Sequence, residues 1–496
     1  MNPGTSEMQF VAALDRVPGM RAVPCLFEGV CAGAADGYAR MKRRPAATLL
    51  HLGPGLANGL SNLHNARKAR SPVVNLVGEH STAHLRCDAP LSADIEGFAR
   101  PVSGWLRTVK MVNDIGSDAA DAVAAAQLPP GQVATLIIPA DYSWSQAGAP
   151  GRPGPAPVRQ APTQDAVCES ARSLRAGRAA LLLSGSALLG RGLRAAGRIA
   201  AISRAPVFAS RYAARIEAGG SGFQARRIAY FPEPAEAMLA GLEHIVLVEA
   251  QPPVSFFGYP GRRSFLAPEK CGFHVLAGEE EDGALALEAL ADELGAPPDM
   301  QPVRVPQPEL PPEGGALNAD AIGRIVAELL PEGAIVSDEM VSSAEAVSRR
   351  LAYAAHHDHL PVTGGSIGQG LPVAVGAALA CPDRKVVALE ADGSALYTLQ
   401  ALWTMAREQL DVVTVIFANR RYGILEIELR RTGATEMGRV ASTVIDIGHP
   451  DSDWVKLSQG LGVPASRATT PEAFRHQFAM SIAEPGPRLI EAVLPQ

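Results

Sequence analysis

Short aliphatic runs alternate along this chain with longer stretches in which apolar positions return every third or fourth residue. Residues 47–50, 73–77 and 133–138 are such runs in the first part, 179–183, 206–209 and 245–248 in the middle, and 334–337, 386–389 and 412–417 in the last. Continuous aliphatic runs suit strands buried on both faces, and the helical patterns between them supply crossovers. The alternation predicts an α/β protein with doubly wound parallel sheets. Two stretches break it: residues 148–157 and 296–312 are too rich in proline and glycine for helix or central strand and read as extended linkers. They divide the chain into three domains, 1–147, 158–295 and 313–496. In the middle one, Gly185-Ser186…Gly190-Arg191-Gly192 reads as a strand–helix turn, without the acidic partner a dinucleotide-binding turn requires.

Composition narrows the partners. The chain is 47% apolar and 19% charged with a net charge of −6, which gives no electrostatic footprint for nucleic acid or an anionic membrane. Six cysteines show no metal-binding spacing and read as thiols of a reducing compartment. No apolar run reaches transmembrane length and no basic-then-apolar segment opens the sequence, so a cytoplasmic protein acting on a small molecule is expected.

The candidate chemistry lies in the last domain. Asp392 ends one aliphatic run and Asn419 the next, 27 positions on, which sets them side by side at the carboxyl edge of a parallel sheet, where such sheets bind ligands. Asp-Gly-Ser alone marks a turn; with Asn419 beside it, two oxygen donors suit a hard cation such as Mg²⁺. Gly393 and Ser394 start a helix whose N–H groups can face phosphates. The sequence Ala391-Asp392-Gly393-Ser394…Asn419-Arg420-Arg421-Tyr422-Gly423 resembles the motif of thiamine-diphosphate-dependent enzymes. Ala391 stands where Gly is usual, and a single Asn419 where there is usually a pair. The opening Asn2-Pro3-Gly4-Thr5-Ser6-Glu7, the segment Phe27-Glu28-Gly29…Ala35-Asp36-Gly37-Tyr38-Ala39-Arg40 and Gly364-Gly365-Ser366-Ile367-Gly368 resemble further motifs of the acetolactate synthase and benzoylformate decarboxylase branches. Relatives carry a helix and a strand before the Asn-Pro-Gly loop, so the first domain is expected to lack a strand, or the chain to start further upstream.

The resemblance implies roles. Glu28 would bond the cofactor's pyrimidine N1′ and favour its imino form. Gly365 would offer a carbonyl to the 4′-amino group, and Ile367 would wedge the cofactor into its bent shape. Asp392, Asn419 and the backbone oxygen of Arg421 would hold Mg²⁺. Ser342, Gly393, Ser394, Tyr422 and Gly423 would border the diphosphate, and Thr5 the substrate. His51 occupies the place of an active-site histidine in benzoylformate decarboxylases, where acetolactate synthases carry a small residue. A second histidine of such decarboxylases has no counterpart; residues 249–257 offer Phe256 and Phe257, an apolar wall. The run His356-His357-Asp358-His359 is expected to be a solvated loop, and Asp36 and Arg40 an i, i+4 pair on their helix. The expected function is decarboxylation of a 2-oxo acid to an enamine followed by carboligation of the acetolactate type. Decarboxylation with release of an aldehyde is the alternative, and a non-catalytic cofactor-binding paralogue the rival from another class. A homodimer or homotetramer is implied. FAD is not expected in the central domain, where Pro252 and Pro253 remove two backbone donors.

Overall fold

The computed structural model describes residues 1–155, 157–220, 222–300, 315–434 and 436–495. Three sheets form where the aliphatic runs predict them. The first has four parallel strands, β1 (Ala46–Leu50), β2 (Val73–Glu79), β3 (Trp105–Thr108) and β4 (Val133–Pro139), in the order β1-β2-β4-β3. The second is built from β5 (Ala179–Leu183), β6 (Val207–Ala209), β8 (Arg226–Arg227), β9 (His244–Val248) and β10 (Gly272–Ala277), in the order β10-β9-β5-β6-β8. The third contains β11 (Ala334–Glu339), β12 (His357–Pro361), β13 (Val386–Ala391), β14 (Val412–Ala418), β15 (Ala465–Ala468) and β16 (Arg488–Val493). Its seventh strand, β7 (Ile216–Ala218), comes from the middle of the chain and pairs antiparallel with β12. A short strand between two turns thus leaves its own domain to close the neighbour's sheet.

At the chain's beginning, Asn2 bridges to Leu50 of β1 and donates to the carbonyl of Leu49 at 3.1 Å. The amino group of Met1 donates to Val23 at 2.7 Å, and Cys25 donates to the carbonyl of Met1 at 3.0 Å. Two residues therefore lie between β1 and residues 23–25, beside the four-stranded sheet.

Glycine sets how the first and third domains meet. A Cβ on Gly37 would fall 2.2 Å from the carbonyl oxygen of Val373, and one on Gly376 2.0 Å from that of Ala34. The helices Glu28–Lys42 and Gly370–Ala380 therefore touch backbone to backbone. Asp36 and Arg40 pair as expected, but in the interior: both side chains are at most 1% exposed. Asp36 also accepts from Ser71 and from Gln369 (2.7 Å), and Arg40 donates to the carbonyl of Pro361 (2.9 Å) and to Thr363 (3.0 Å). With Arg40 reaching Ala214 at 3.4 Å, this one ion pair touches all three domains.

Two readings need correction. His357-Asp358-His359 is not a solvated loop but part of β12, buried between β11 and β7. Its polar side chains are tolerated there because each has a partner. Asp358 accepts from Arg215 (2.6 Å) and Arg384 (2.7 Å), His359 meets Asp338 at 2.9 Å, and His357 faces the carbonyl of Ala355 at 2.8 Å. The helix expected to start at Gly393 and Ser394 is a single turn, Asp392–Ala395, and the next helix, Ala401–Arg407, follows only after a run of turns. The linker 148–157 has no regular structure among its described residues, and most of 296–312 lies outside them.

Candidate functional site

β13 and β14 run in register up to Ala391 opposite Phe417, so Asp392 and Asn419 leave the sheet as neighbours. Asp392 is 4% exposed. Its carboxylate accepts from the N–H of Gly393 (2.9 Å) and of Arg420 (2.6 Å), and the Asn419 side-chain oxygen accepts from the N–H of Arg421 at 3.0 Å. Burial pushes the Asp392 carboxyl up to about 6, against the pull of its backbone donors. A buried carboxylate with amide donors alone, next to an amide oxygen, suits a hard cation. Among the described residues no three His, Cys, Asp or Glu side chains gather as a metal cluster, so the other ligands of such an ion must be backbone, water or phosphate.

Glycine shapes the space beside it. A Cβ on Gly393 would lie 2.5 Å from the Tyr422 ring, and the side chains nearest a Cβ on Gly423 are Asn419 and Ser342, both 3.7 Å away. Ser342, Gly393, Asn419, Tyr422 and Gly423 thus lie close together beside Asp392, with Ser342 exposed and Ser394, next along the turn, buried. The Arg421 side chain turns away to Glu426 at 3.0 Å, which leaves its backbone to serve the site.

A second group forms at the carboxyl edge of the first sheet. A Cβ on Gly55 would lie 3.3 Å from both the Glu28 carboxylate and His51 Cβ, so these two side chains flank it. Glu28 accepts from Asn58 at 3.0 Å. His51 Nδ1 lies 2.7 Å from Glu7, a carboxylate only 2% exposed that also accepts from the N–H of Gly4 at 2.7 Å. Glu7 engages Nδ1, so Nε2 is the ring nitrogen without a hydrogen-bond partner among the described residues. The ring itself lies on Gly4, where a Cβ would be 2.5 Å away. Thr5 is exposed on the turn Thr5–Glu7.

The third group is the 364–368 loop. Gly365 has φ +76°, and the Phe256 ring of the central domain lies where its Cβ would be, 2.3 Å from that position. Ile367 is half-buried. The helix Leu52–Lys68 holds the loop. Asn62 donates to the carbonyls of Gly29 (2.9 Å) and Gly368 (3.0 Å), Asn65 donates to Ser366 (2.8 Å), and His64 meets Gly364 at 3.2 Å. From below, Glu339 accepts from the N–H of Gly368 (2.8 Å) and Gly370 (2.5 Å). Its neighbour across the sheet is Glu390, equally buried. Burial pushes Glu339 up to about 7 and Glu390 well above the usual carboxylate range, the latter helped by Glu339 itself. Among the described residues, no hydrogen bond or ion pair joins Glu28 or His51 to the Asp392–Asn419 edge.

Sequence reasoning missed Glu7, Glu339, Glu390 and the Asn58, Asn62, Asn65 series. The asparagines had a signal: polar residues at i, i+4 and i+7 mark one helix face. Glu339 and Glu390 interrupt otherwise aliphatic strands, which is also visible in the sequence.

These features match known proteins. Residues 1–98 fit the family model "thiamine pyrophosphate enzyme, N-terminal TPP binding domain", and residues 344–492 the corresponding C-terminal TPP binding domain. A Mycobacterium tuberculosis protein named "Putative acetolactate synthase large subunit IlvX" is 50% identical, over 100% of this chain and 95% of its own length. Benzoylformate decarboxylase of Pseudomonas aeruginosa is 29% identical over 99% of this chain and 94% of its own. Among solved structures, the thiamine diphosphate-dependent 4-hydroxybenzoylformate decarboxylase of Rhodococcus jostii superposes with a TM-score of 0.85 at 25% identity, covering 100% of this chain and 95% of that one. The chain belongs to the thiamine pyrophosphate enzyme family. Its three-domain α/β fold is that of these enzymes, and no helix among the described residues is long and apolar enough to cross a membrane.

Proposed function

We propose that this chain decarboxylates a 2-oxo acid with thiamine diphosphate and Mg²⁺, and that His51 delivers the proton that releases an aldehyde. The cofactor, when bound, supplies the carbanion that adds to the substrate carbonyl and accepts the electron pair left by CO₂. The residues present fit it: among the described residues Asp392 and Asn419 form no ion pair, their oxygens accept only from backbone N–H groups, and Gly393 lets the Tyr422 ring pack where a Cβ would lie. Gly393, Ser394, Ser342 and Gly423 would border the diphosphate, and Glu28 would hold the pyrimidine in its imino form. Phe256, against Gly365, would wall the substrate's side chain and keep water from the reacting carbons.

One observation carries the reading of how the reaction ends. Glu7 engages Nδ1 of His51 and leaves Nε2 without a partner among the described residues, an arrangement that supports a proton-carrying role. Carboligation of the acetolactate type is the second reading, favoured by the name of the 50% identical relative. With added thiamine diphosphate and Mg²⁺, product analysis on phenylglyoxylate and pyruvate separates the two: aldehyde supports the first, acetolactate the second. Glu28→Gln is expected to abolish turnover and slow exchange of the cofactor's C2 proton; near-normal exchange would refute the assignment. We further propose that the active unit is at least a homodimer, with Glu28 of one chain serving the diphosphate edge of its partner. A turning-over monomer in sedimentation would overturn that.

A further inference from the structure

The central domain carries a second carboxyl edge, and a side chain of the protein already occupies it. β5 and β9 are adjacent parallel strands in the middle of their sheet, the position at which open α/β sheets accept ligands. β5 runs into the turn Gly185–Leu188, and the helix Gly283–Glu293 starts alongside. β9 ends at Val248, and the next residue, Glu249, turns its side chain back across this edge.

Four donors gathered at this edge are bonded to Glu249. Its carboxylate accepts from the N–H of Ser186 (3.0 Å), the N–H of Gly283 (2.9 Å), the Ser186 hydroxyl and the guanidinium of Arg159 (3.0 Å). Two backbone amides, one at the start of an eleven-residue helix, a hydroxyl and an arginine are the donor set of an oxyanion cradle. The glycines make room for this carboxylate: a Cβ on Gly185 would lie 1.9 Å from one oxygen and a Cβ on Gly283 2.6 Å from the other. Glu249 itself has φ +50°, a left-handed conformation costly for a residue with a Cβ. The side chain is 3% exposed.

The approach to this edge is open and basic. A cleft of about 250 Å³ between the first and central domains is lined by Arg43, Arg70, Arg159, Arg215 and Ser186. Arg70 pairs with Glu279 and Arg215 with Asp358, whereas Arg43 has no carboxylate partner among the described residues. An anion entering from solvent would meet positive charge first and then find the cradle closed.

We propose that Glu249 is a built-in anion that fills the phosphate notch of the central domain, so that the domain is complete without a nucleotide. The carboxylate does what a bound diphosphate would do: it ties the β5 turn, the end of β9, the helix at Gly283 and, through Arg159, the chain arriving from the first domain. FAD therefore does not fit here, because its diphosphate would need the donors Glu249 holds. The fit fails on occupancy, not on fold.

The test needs no turnover. Wild-type protein titrated with FAD, ADP or inorganic pyrophosphate at millimolar concentration is expected to show no heat of binding and no rise in Tm. Glu249→Ala is expected to lower Tm by roughly 5 °C, since it strands four donors at once. Pyrophosphate or ADP, entering through the arginine cleft, should then restore most of the loss, and sodium chloride at equal ionic strength should not. If Glu249→Ala yields no folded protein, Glu249→Ser, whose short side chain keeps one acceptor while vacating most of the notch, takes its place; it too should gain Tm with pyrophosphate. One FAD or ADP bound per wild-type chain would overturn the proposal. So would variants that no anion rescues, which would make Glu249 an ordinary buried ion-pair partner.

Discussion

At the carboxyl edge of the third sheet, the Asp392 carboxylate accepts only from backbone N–H groups among the described residues, and a glycine beside it lets the Tyr422 ring approach. At the carboxyl edge of the central sheet, Glu249 has amides, a hydroxyl and a guanidinium, and two glycines are spent on making room for the carboxylate. The two edges share strand–turn–helix geometry and differ in where the countercharge comes from. Burial holds Asp392 toward its protonated form, while Glu249 has Arg159 as an ion-pair partner. The lesson is that a parallel-sheet edge is a site only while its donors and acceptors are left unmatched; one internal carboxylate turns the same geometry into structure.

The comparison breaks most sharply at Asp392. On the proposed reading Asp392→Ala removes a buried carboxylate offered to the cation, and metal and cofactor binding are expected to vanish together, with turnover. Stability should change little, and could rise in the absence of ligand, since a desolvated carboxylate is removed. Titration calorimetry with thiamine diphosphate in Mg²⁺ checks this, and unchanged affinity would remove Asp392 from the metal site. The mirror substitution at Glu249 should do the reverse: lower stability and leave thiamine diphosphate affinity intact.

How much of this was legible in the sequence follows from what each feature depends on. The strands were readable because burial on both faces forces uninterrupted aliphatic runs, as in 179–183, whose boundaries the structure reproduces. Asp392 and Asn419 were readable because in-register parallel strands convert equal strand ends into spatial neighbours. Glu249 was not. Its role depends on a backbone turn of φ +50° and on donors from positions 159, 186 and 283, a convergence no local pattern encodes. Glu7 escaped for a similar reason: its partner His51 is on another element, and the space for its carboxylate comes from Gly78, where a Cβ would lie 1.7 Å away. The His357–His359 segment misled because polar residues normally signal solvent, and here Asp338, Arg215 and Arg384 satisfy them from neighbouring elements.

Between the two edges in expected size lies the His51–Glu7 pair. His51→Ala is expected to lower turnover about 10²-fold or more while leaving cofactor affinity alone, the usual contribution of a positioned acid–base group. Glu7→Gln should give a smaller loss, about tenfold, because the amide can also donate and so lets the ring adopt the other tautomer. The diagnostic is the split between the two constants: both variants should lower kcat and leave thiamine diphosphate affinity unchanged. Wild-type rates in His51→Ala would reduce the histidine to packing on Gly4.

The finest comparison is between two serines. Ser342 is exposed at the open edge, its hydroxyl 3.7 Å from where a Cβ on Gly423 would lie, and its side chain makes no hydrogen bond among the described residues. Ser186 is buried at the closed edge and donates to Glu249. Ser342→Ala should therefore leave Tm unchanged and weaken thiamine diphosphate by a few-fold to about tenfold, the value of one hydrogen bond to a charged group. Ser186→Ala should leave cofactor affinity unchanged and cost about 1.5–3 kcal/mol of stability, because the partner it deserts is a buried carboxylate. Arg159 and two amides still hold Glu249 in that variant, so the loss stays below that of Glu249→Ala. Paired urea unfolding and calorimetry on the two variants give four numbers, and the reading requires them to fall on opposite diagonals. If Ser186→Ala weakened the cofactor as much as Ser342→Ala, the two edges would be coupled through the domain contact at Phe256 and Gly365, and the central domain would be part of the active site rather than a closed neighbour of it.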